Sequence, residues 1–395
     1  LLPAFERIEA AHVGPAIEAL VRESRDVLRA IEADSSARDW NQVVAPLAEA
    51  KDRLSRAWSP VSHLHAVADT DAIRAAYNES LGLLSEHATE LAQSSALYGK
   101  FRALADHADF ASLPIPRKAV IDHALRDFEL AGVSLNASDK ARFKVITAEL
   151  ARQSSRFSEN VLDASKAWSL HITNEERLSG IPATVKSIAA ESAREESLQG
   201  WLLNLDFPCY FGVMSHAEDR ELRREMHRAY SCRASDQGPH AGKWDNSDTM
   251  ARILALRHEQ AQLLGKANYA ELSLARKMAD EPAQVVDFLN SLAGQAKPAA
   301  QREMAELRDF ARKHLGLEDV QAPDIAFCAE RLRRHKFDVS QEELRPYFPV
   351  PRVLLGLFAI VRQLFGITLS VRDAAVQTWH QDVLFIDLWD ESGAL

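Results

Sequence analysis

With 395 residues, the chain is long enough for two or more domains and a large core. Its 47% hydrophobic and 26% charged residues exclude a disordered polymer, and its formal net charge of −10 argues against a nucleic-acid partner, which would require a basic face. Glycine and proline are sparse, at 15 residues each, which favours helices over a turn-rich β architecture. At the N-terminus, Leu1-Leu-Pro-Ala-Phe-Glu-Arg7 has no basic-then-apolar signal pattern, and Leu1 is not an initiator, so a short leading segment is expected to be missing. Three widely spaced cysteines, Cys209, Cys232 and Cys328, fit free thiols in a reducing, cytoplasmic setting. Val353 to Val361, the longest strongly apolar run, is too short to span a bilayer, so no membrane partner is expected.

Helical periodicity recurs along the chain. Ile121, Ala124, Leu125 and Phe128 fall at i, i+3, i+4 and i+7, with Gly132 placed to end that helix. Ser138 and Asp139 are candidates to start the next, whose stripe runs through Phe143, Ile146, Leu150, Phe157, Val161 and Ala164. A third helix carries Ile253, Leu256, Ala261 and Leu264 up to Gly265. A fourth carries Leu354, Leu357, Phe358, Val361, Leu364 and Phe365 up to Gly366. All four stripes are expected to face a core. Leu113 to Pro116 reads as a short connection, Ser231 to Ser247 as a long polar loop, and Pro346 to Pro351 as a stiff, extended connector. Strand signal is concentrated after residue 366. Val383 to Trp389 reads as a buried strand followed by turn chemistry at Asp390-Glu-Ser-Gly393, and Ala394-Leu395 as the start of a returning strand. The first strand is therefore expected to lack its partner, and the chain to be a fragment.

The search for chemistry returns little. A zinc-protease helix needs His-Glu-x-x-His, because residues four apart share a helix face and grip one ion together. The one His-Glu pair is His258-Glu259, and Gln262 stands where the second histidine belongs, so an ordinary helix surface is the expectation. His63 and His65 are two apart on a helical pattern and diverge, which favours polar packing over metal binding. The basic run Arg331 to Lys336 reads as a solvated helix face. Arg228, Arg233 and Lys243 flank the long loop, where a ligand carboxylate and structural salt bridges are equally good partners. No Gly-x-Ser-x-Gly elbow, Walker loop or dinucleotide fingerprint is present. No residue of this chain is assigned a catalytic, cofactor-binding or metal-binding role, and substrate-contacting residues stay unassigned.

Segments around the loop nonetheless carry a resemblance. His227-Arg-Ala-Tyr-Ser-Cys-Arg-Ala-Ser-Asp-Gln-Gly-Pro239 leads to Lys243-Trp-Asp-Asn-Ser247, then to Ile253 through Gly265, Asn268-Tyr-Ala270, Ser273-Leu-Ala275 and Lys277-Met278. Further matches are Ser59-Pro-Val-Ser-His63, His123 to Leu130, Leu344 to Pro349 and Trp379 to Val383. Together these resemble the thimet-oligopeptidase family of zinc metallopeptidases, from end to end and in the same order. One departure is Gln381, where the pattern usually has proline. The larger one is that the family's His-Glu-Phe-Gly-His helix, and the glutamate that completes its zinc site, match nothing in this sequence.

The resemblance implies a mainly α-helical fold: an extended helical assembly forming one lobe of a two-lobed channel enzyme, with a small β-sheet begun near the C-terminus and cut. It implies an N-terminal helical region over 1–210 and the first part of a peptidase catalytic region over 211–395. Zinc is implied for the full-length parent and none for this chain. The partners implied are short peptides and the missing C-terminal half of the enzyme. The chain alone is expected to be inactive; the alternative is a naturally truncated helical scaffold that binds peptides or a partner without catalysis.

Overall fold

The computed structural model describes residues 3–339, 341–372 and 378–394. A 3-10 turn (Phe5–Arg7) precedes α1 (Ala10–Ala33), α2 (Trp40–Val67), α3 (Asp71–Gln93), α4 (Ser95–Asp106), α5 (Ile115–Leu130) and α6 (Ala137–Lys166). Next come β1 (Ser169–Ile172), α7 (Ala183–Glu195), β2 (Trp201–Asn204), α8 (Phe207–His216) and α9 (Arg220–Ser231). After the long loop follow α10 (Ser247–Leu263), α11 (Tyr269–Leu274), α12 (Pro282–Leu315), α13 (Ile325–Phe337), α14 (Gln341–Leu344) and α15 (Val350–Phe365). The hairpin strands β3 (Thr368–Val371) and β4 (Ile386–Trp389) complete the described chain. The fold is mainly α-helical, with a small sheet near the C-terminus.

Local chemistry sets the helix ends. Asp39 accepts from the Gln42 N–H at 2.9 Å and Asn136 from that of Asp139 at 3.0 Å, capping α2 and α6. The cap of α6 is thus two residues ahead of Ser138. Gly132, Gly265 and Gly366 follow their helices with positive φ, the left-handed conformation that closes a C-terminus without steric cost. The stretch from Ser231 to Ser247 is a loop between α9 and α10.

The N-terminal helices enclose two clusters. Val13, Ile17 and Val21 of α1 pack with Val61 of α2. Leu28 and Ile31 of α1 meet Val43, Leu97, Phe101, Ile121 and Phe128, which join α2, α4 and α5. A third core lies between β1, β2 and α7–α9, with Ile172, Leu203, Val213, Leu222 and Met226 at its centre. Its antiparallel ribbon runs from the pair Ser169↔Asn204 to Ile172↔Trp201. Gly200, at φ +98°, passes so close to the Ile172 carbonyl that a Cβ would lie 2.4 Å from its oxygen. Only glycine turns the chain there.

The helix α6, about 45 Å long at 1.5 Å per residue, lies between α3 and α10. It buries few side chains fully: Phe143, Ile146 and Ala164. Polar bonds do the rest. On the α3 side, Arg74 bonds Asp163 at 2.8 Å and Lys144 meets Glu86 at 2.6 Å. On the α10 side, Arg142 grips Glu259 with two bonds of 2.5 and 2.6 Å, and Arg252 grips Glu149 likewise.

Four sequence expectations are corrected. First, the C-terminal strand is not unpartnered. Ile386–Trp389 pairs antiparallel with β3, from Thr368↔Trp389 to Val371↔Ile386, so the partner precedes it in the chain. Second, strand structure is not confined to the region after 366, because β1 and β2, four residues each, form a ribbon too short for a periodic signal. Third, the proline-rich connector is not extended. Residues Arg345–Tyr347 form a 3-10 turn and α15 begins at Val350, since proline's fixed φ suits the first positions of a helix. Fourth, the α15 stripe does not face a core: no residue of α15 is buried and Leu364 is 68% exposed. Likewise the first half of α12 lies bare, with Phe288 67% exposed, while Leu307 and Ala311 further along pack on Phe327 and Cys328 of α13.

A buried ion pair joins α9 to the start of α13. Arg223, 1% exposed, donates to Asp324 at 2.9 Å and to the Ala217 carbonyl at 2.7 Å, with its guanidinium 4.2 Å over the Phe327 ring. Arg220 adds further bonds to the same carboxylate. Burial alone would raise the Asp324 pKa, but Arg220, Arg223 and the Gln321 N–H outweigh it and hold the carboxyl below its usual range. Because the folded pKa is depressed, this stabilisation is complete above the ordinary carboxylate pKa and is lost as pH falls through and below it. Asp324→Ala is expected to cost about 3–5 kcal/mol, since Arg223 stays buried without its counter-ion; urea titration near neutral pH measures it.

Candidate functional site

The near-match to a zinc helix lies on α10, and its geometry opposes metal binding. His258 is exposed, while the neighbouring Glu259 is held by the Arg142 fork. Those bonds depress the Glu259 pKa, the opposite of the elevated value a general base at neutral pH requires. Gln262, in place of the second histidine, donates to the Lys266 and Ala267 carbonyls at 3.1 and 2.9 Å and closes the helix end. Among the described residues no group of three or more His, Cys, Asp or Glu side chains converges as metal ligands would. The zinc implied by the resemblance therefore finds no fitting donor set here.

On α2, His63 and His65 diverge and pack separately. His65 stacks on Tyr77 with centroids 4.1 Å apart, and its Nε2 lies 3.8 Å from Glu159 and 4.0 Å from Asp69. His63 instead meets Trp379 and Phe5. The basic run is tied down along α13: Arg331 bonds Glu218 at 2.9 Å, Arg333 and Arg334 face Glu330, and Lys336 pairs with Glu306. It is a salt-bridged face, with its cations already committed to carboxylates.

The long loop is fixed to α6. Asn246 accepts from Asn160 at 2.9 Å and donates to the Phe157 carbonyl at 3.1 Å, and its own N–H reaches the Ala234 carbonyl at 3.0 Å. Arg233 bonds Ser165 at 3.0 Å and lies 3.7 Å over the Tyr230 ring, which itself stacks on Tyr210. Lys243 lies 4.1 Å over Trp244. Of the three cations flanking the loop, these two are engaged within the chain, and Arg228 is exposed at the end of α9.

One constellation carries no sequence signal. Ser24 of α1 lies 2.8 Å from Nε2 of His87, and Glu90 lies 3.7 Å from its Nδ1. The order resembles a nucleophile, a base and its orienting acid, but Ser24 and His87 are each 2% exposed. Arg25 holds Glu90 from the other side at 2.8 and 3.0 Å. Only the i, i+3 spacing of His87 and Glu90 is visible in the sequence; Ser24 comes from another helix. No substrate reaches this hydroxyl, and the trio is packing. Among the cavities is an apolar groove of about 460 Å³ between the N-terminal segment and α1–α2, with Ile8, Val13, Ile17 and Val61 in its lining and no catalytic grouping.

The chain is placed by relationship. The profile of peptidase family M3 matches residues 213–395, and that of the neurolysin/thimet oligopeptidase N-terminal domain matches residues 17–140. The two fall in chain order, the N-terminal profile from within α1 to the start of α6 and the peptidase profile from α8 onward, so that the latter takes in the α8 and α9 part of the β1–β2 core. The chain belongs to this metallopeptidase family. At a finer level it is 44% identical to the oligopeptidases A of Salmonella typhimurium and Escherichia coli, over 100% of this chain and 58% of each relative. It is 36% identical to the organellar oligopeptidase A of Arabidopsis thaliana, over 99% of this chain and 50% of that protein. It thus spans little more than half the length of these relatives.

Two outcomes check the site. Burial lowers the His87 pKa, with Glu90 opposing and Arg25 reinforcing, so the unfolded state takes up the proton first as pH falls. The stabilisation from neutral His87 is complete above the ordinary histidine pKa and is lost as pH drops below it; His87→Gln is expected to flatten the slope of unfolding free energy between about pH 7 and 5. Gln262→His completes the His-Glu-x-x-His pattern in sequence. It is expected to retain no zinc after equilibrium dialysis against micromolar chelator, and to lower the melting temperature by removing two bonds at the end of α10.

Proposed function

We propose that this chain is the N-terminal portion of a zinc-dependent oligopeptidase and supplies a wall of the channel along which short peptides reach the zinc. In this reading residues 1–210 form the N-terminal helical region, and residues 211–395 begin the peptidase region. The observation that carries the reading is the combination of whole-chain identity to oligopeptidases A with coverage of only 58% of their length. The zinc ligands and general base then belong to the part of the enzyme that the match does not span.

The bare helices support this assignment. A helix with a broad apolar face is stable in water only when that face is covered. Helix α15 exposes Val350, Leu355, Ile360, Leu364 and Phe365, and α12 exposes Val286, Phe288, Leu289 and Leu292. Both lie within the stretch matched by the peptidase profile. The remaining length of the enzyme is their natural cover. The chain's own residues make no bond-breaking step; their task is to hold these surfaces in place and to admit extended peptides by shape. Three cysteines free of disulfides support a cytoplasmic setting.

The test is turnover of an internally quenched peptide. The pure 395-residue chain with added zinc is expected to give none. Refolding it with a polypeptide covering the remaining length of an oligopeptidase A is expected to restore zinc-dependent cleavage. Genuine turnover by the chain alone overturns the proposal, and tight, saturable peptide binding by the chain alone favours a non-catalytic scaffold.

A further inference from the structure

Two histidine rings from different helices meet on an exposed face. His314 stands in the last turn of α12 and His335 in the last turn of α13, with ring centroids 4.6 Å apart. Phe310, buried one turn before His314, lies 4.9 Å from the first ring and 5.3 Å from the second. In the same joint Leu307 and Ala311 of α12 pack with Phe327 and Cys328 of α13. The spacing of the two imidazoles is therefore set by helix packing within the chain itself.

The site is free to take a cation. Both histidines are exposed, and among the described residues no hydrogen bond or ion pair engages a nitrogen of either ring. The neighbouring cations are already neutralised: Arg312 and Lys313 by Asp309, Arg334 by Glu330 and Lys336 by Glu306. Each ring also stands at the carbonyl end of its helix, where the dipole favours positive charge. Imidazole is the commonest protein ligand for a transition metal.

The spacing narrows the choice of metal. A metal bound through one ring nitrogen lies about 3.2 Å from the ring centre, roughly 2.1 Å of bond plus about 1.1 Å of ring radius. Two centroids 4.6 Å apart that share such a metal subtend about 90° at it. That is the cis angle of tetragonal complexes, the arrangement favoured by copper(II) and nickel(II). We propose that His314 and His335 form a two-histidine site for a divalent cation of the nickel or copper type, and that the bound ion clamps α12 to α13. Water fills the remaining coordination positions, so the site makes a removable clamp. It does not depend on the reading of the chain as part of an oligopeptidase.

Nickel(II), titrated calorimetrically into the full 395-residue chain, tests the site without any substrate. One equivalent is expected to bind, and His314→Ala is expected to weaken that binding at least tenfold. His335→Phe keeps a ring against Phe310 but removes the nitrogens; it is expected to lose nickel equally and serves if an alanine variant does not fold. His258→Ala, which removes an exposed histidine of α10, is expected to bind as the parent chain does. With copper(II), electron paramagnetic resonance is expected to show coupling to two imidazole nitrogens, reduced to one in His335→Phe. Nickel at ten times its dissociation constant is expected to slow amide exchange in α13 and the last turns of α12 about tenfold, with α1 and α2 unchanged. Nickel affinity unchanged in His314→Ala or His335→Phe overturns the proposal, as does equal loss in His258→Ala or exchange in α12–α13 that nickel leaves unaltered. Failure of the refolded two-part enzyme to cleave peptides counts against the oligopeptidase reading alone.

Discussion

The architecture depends on α6. A helix of 30 residues with few buried side chains cannot be held by a hydrophobic stripe alone, so it is clamped on both sides by ion pairs and amide bonds. Through it the N-terminal helices, the long loop and α10 share one frame. Forked arginine–carboxylate bonds fix direction as well as distance, which an apolar face cannot do. The individual pairs at this partly exposed joint each contribute little to stability, and their value lies in setting the angle between the regions they join.

The Arg223–Asp324 pair works under the opposite condition. It is sealed from water, donates and accepts bonds on several sides, and stands between the β1–β2 core and the α12–α13 pair. Its desolvation is costly, and its value lies in allowing α13 to start at one place only. A wet joint thus ties the N-terminal helices to α10, and a dry one ties α9 to the start of α13. Neither arrangement is a catalytic one.

Much of this was legible in the residues. The stripe through Ile121 and Phe128 and the stop signals at Gly132, Gly265 and Gly366 reported helices correctly, because 3.6-residue periodicity and left-handed glycines are local properties. The divergence of His63 and His65 followed from helix geometry. Partnership was not legible. Which strand pairs with Ile386–Trp389, whether α15 is covered, and that Ser24 lies against His87 are all decided by segments far away in sequence. Apolar periodicity states that a face needs burial; it does not state what supplies it. The four-residue strands β1 and β2 were too short to register any period.

The half-covered α12 bears on how the molecule is made. Its C-terminal turns are packed on α13 while some five turns at the other end stand as preformed, bare helix. A polypeptide synthesised from its N-terminus presents such a surface to solvent until something covers it. The helix then acts as a template, and the covering segment folds against structure that already exists, with a smaller entropy loss than two partners ordering together. The same interval is one of vulnerability to aggregation, and its length is set by the rate of translation.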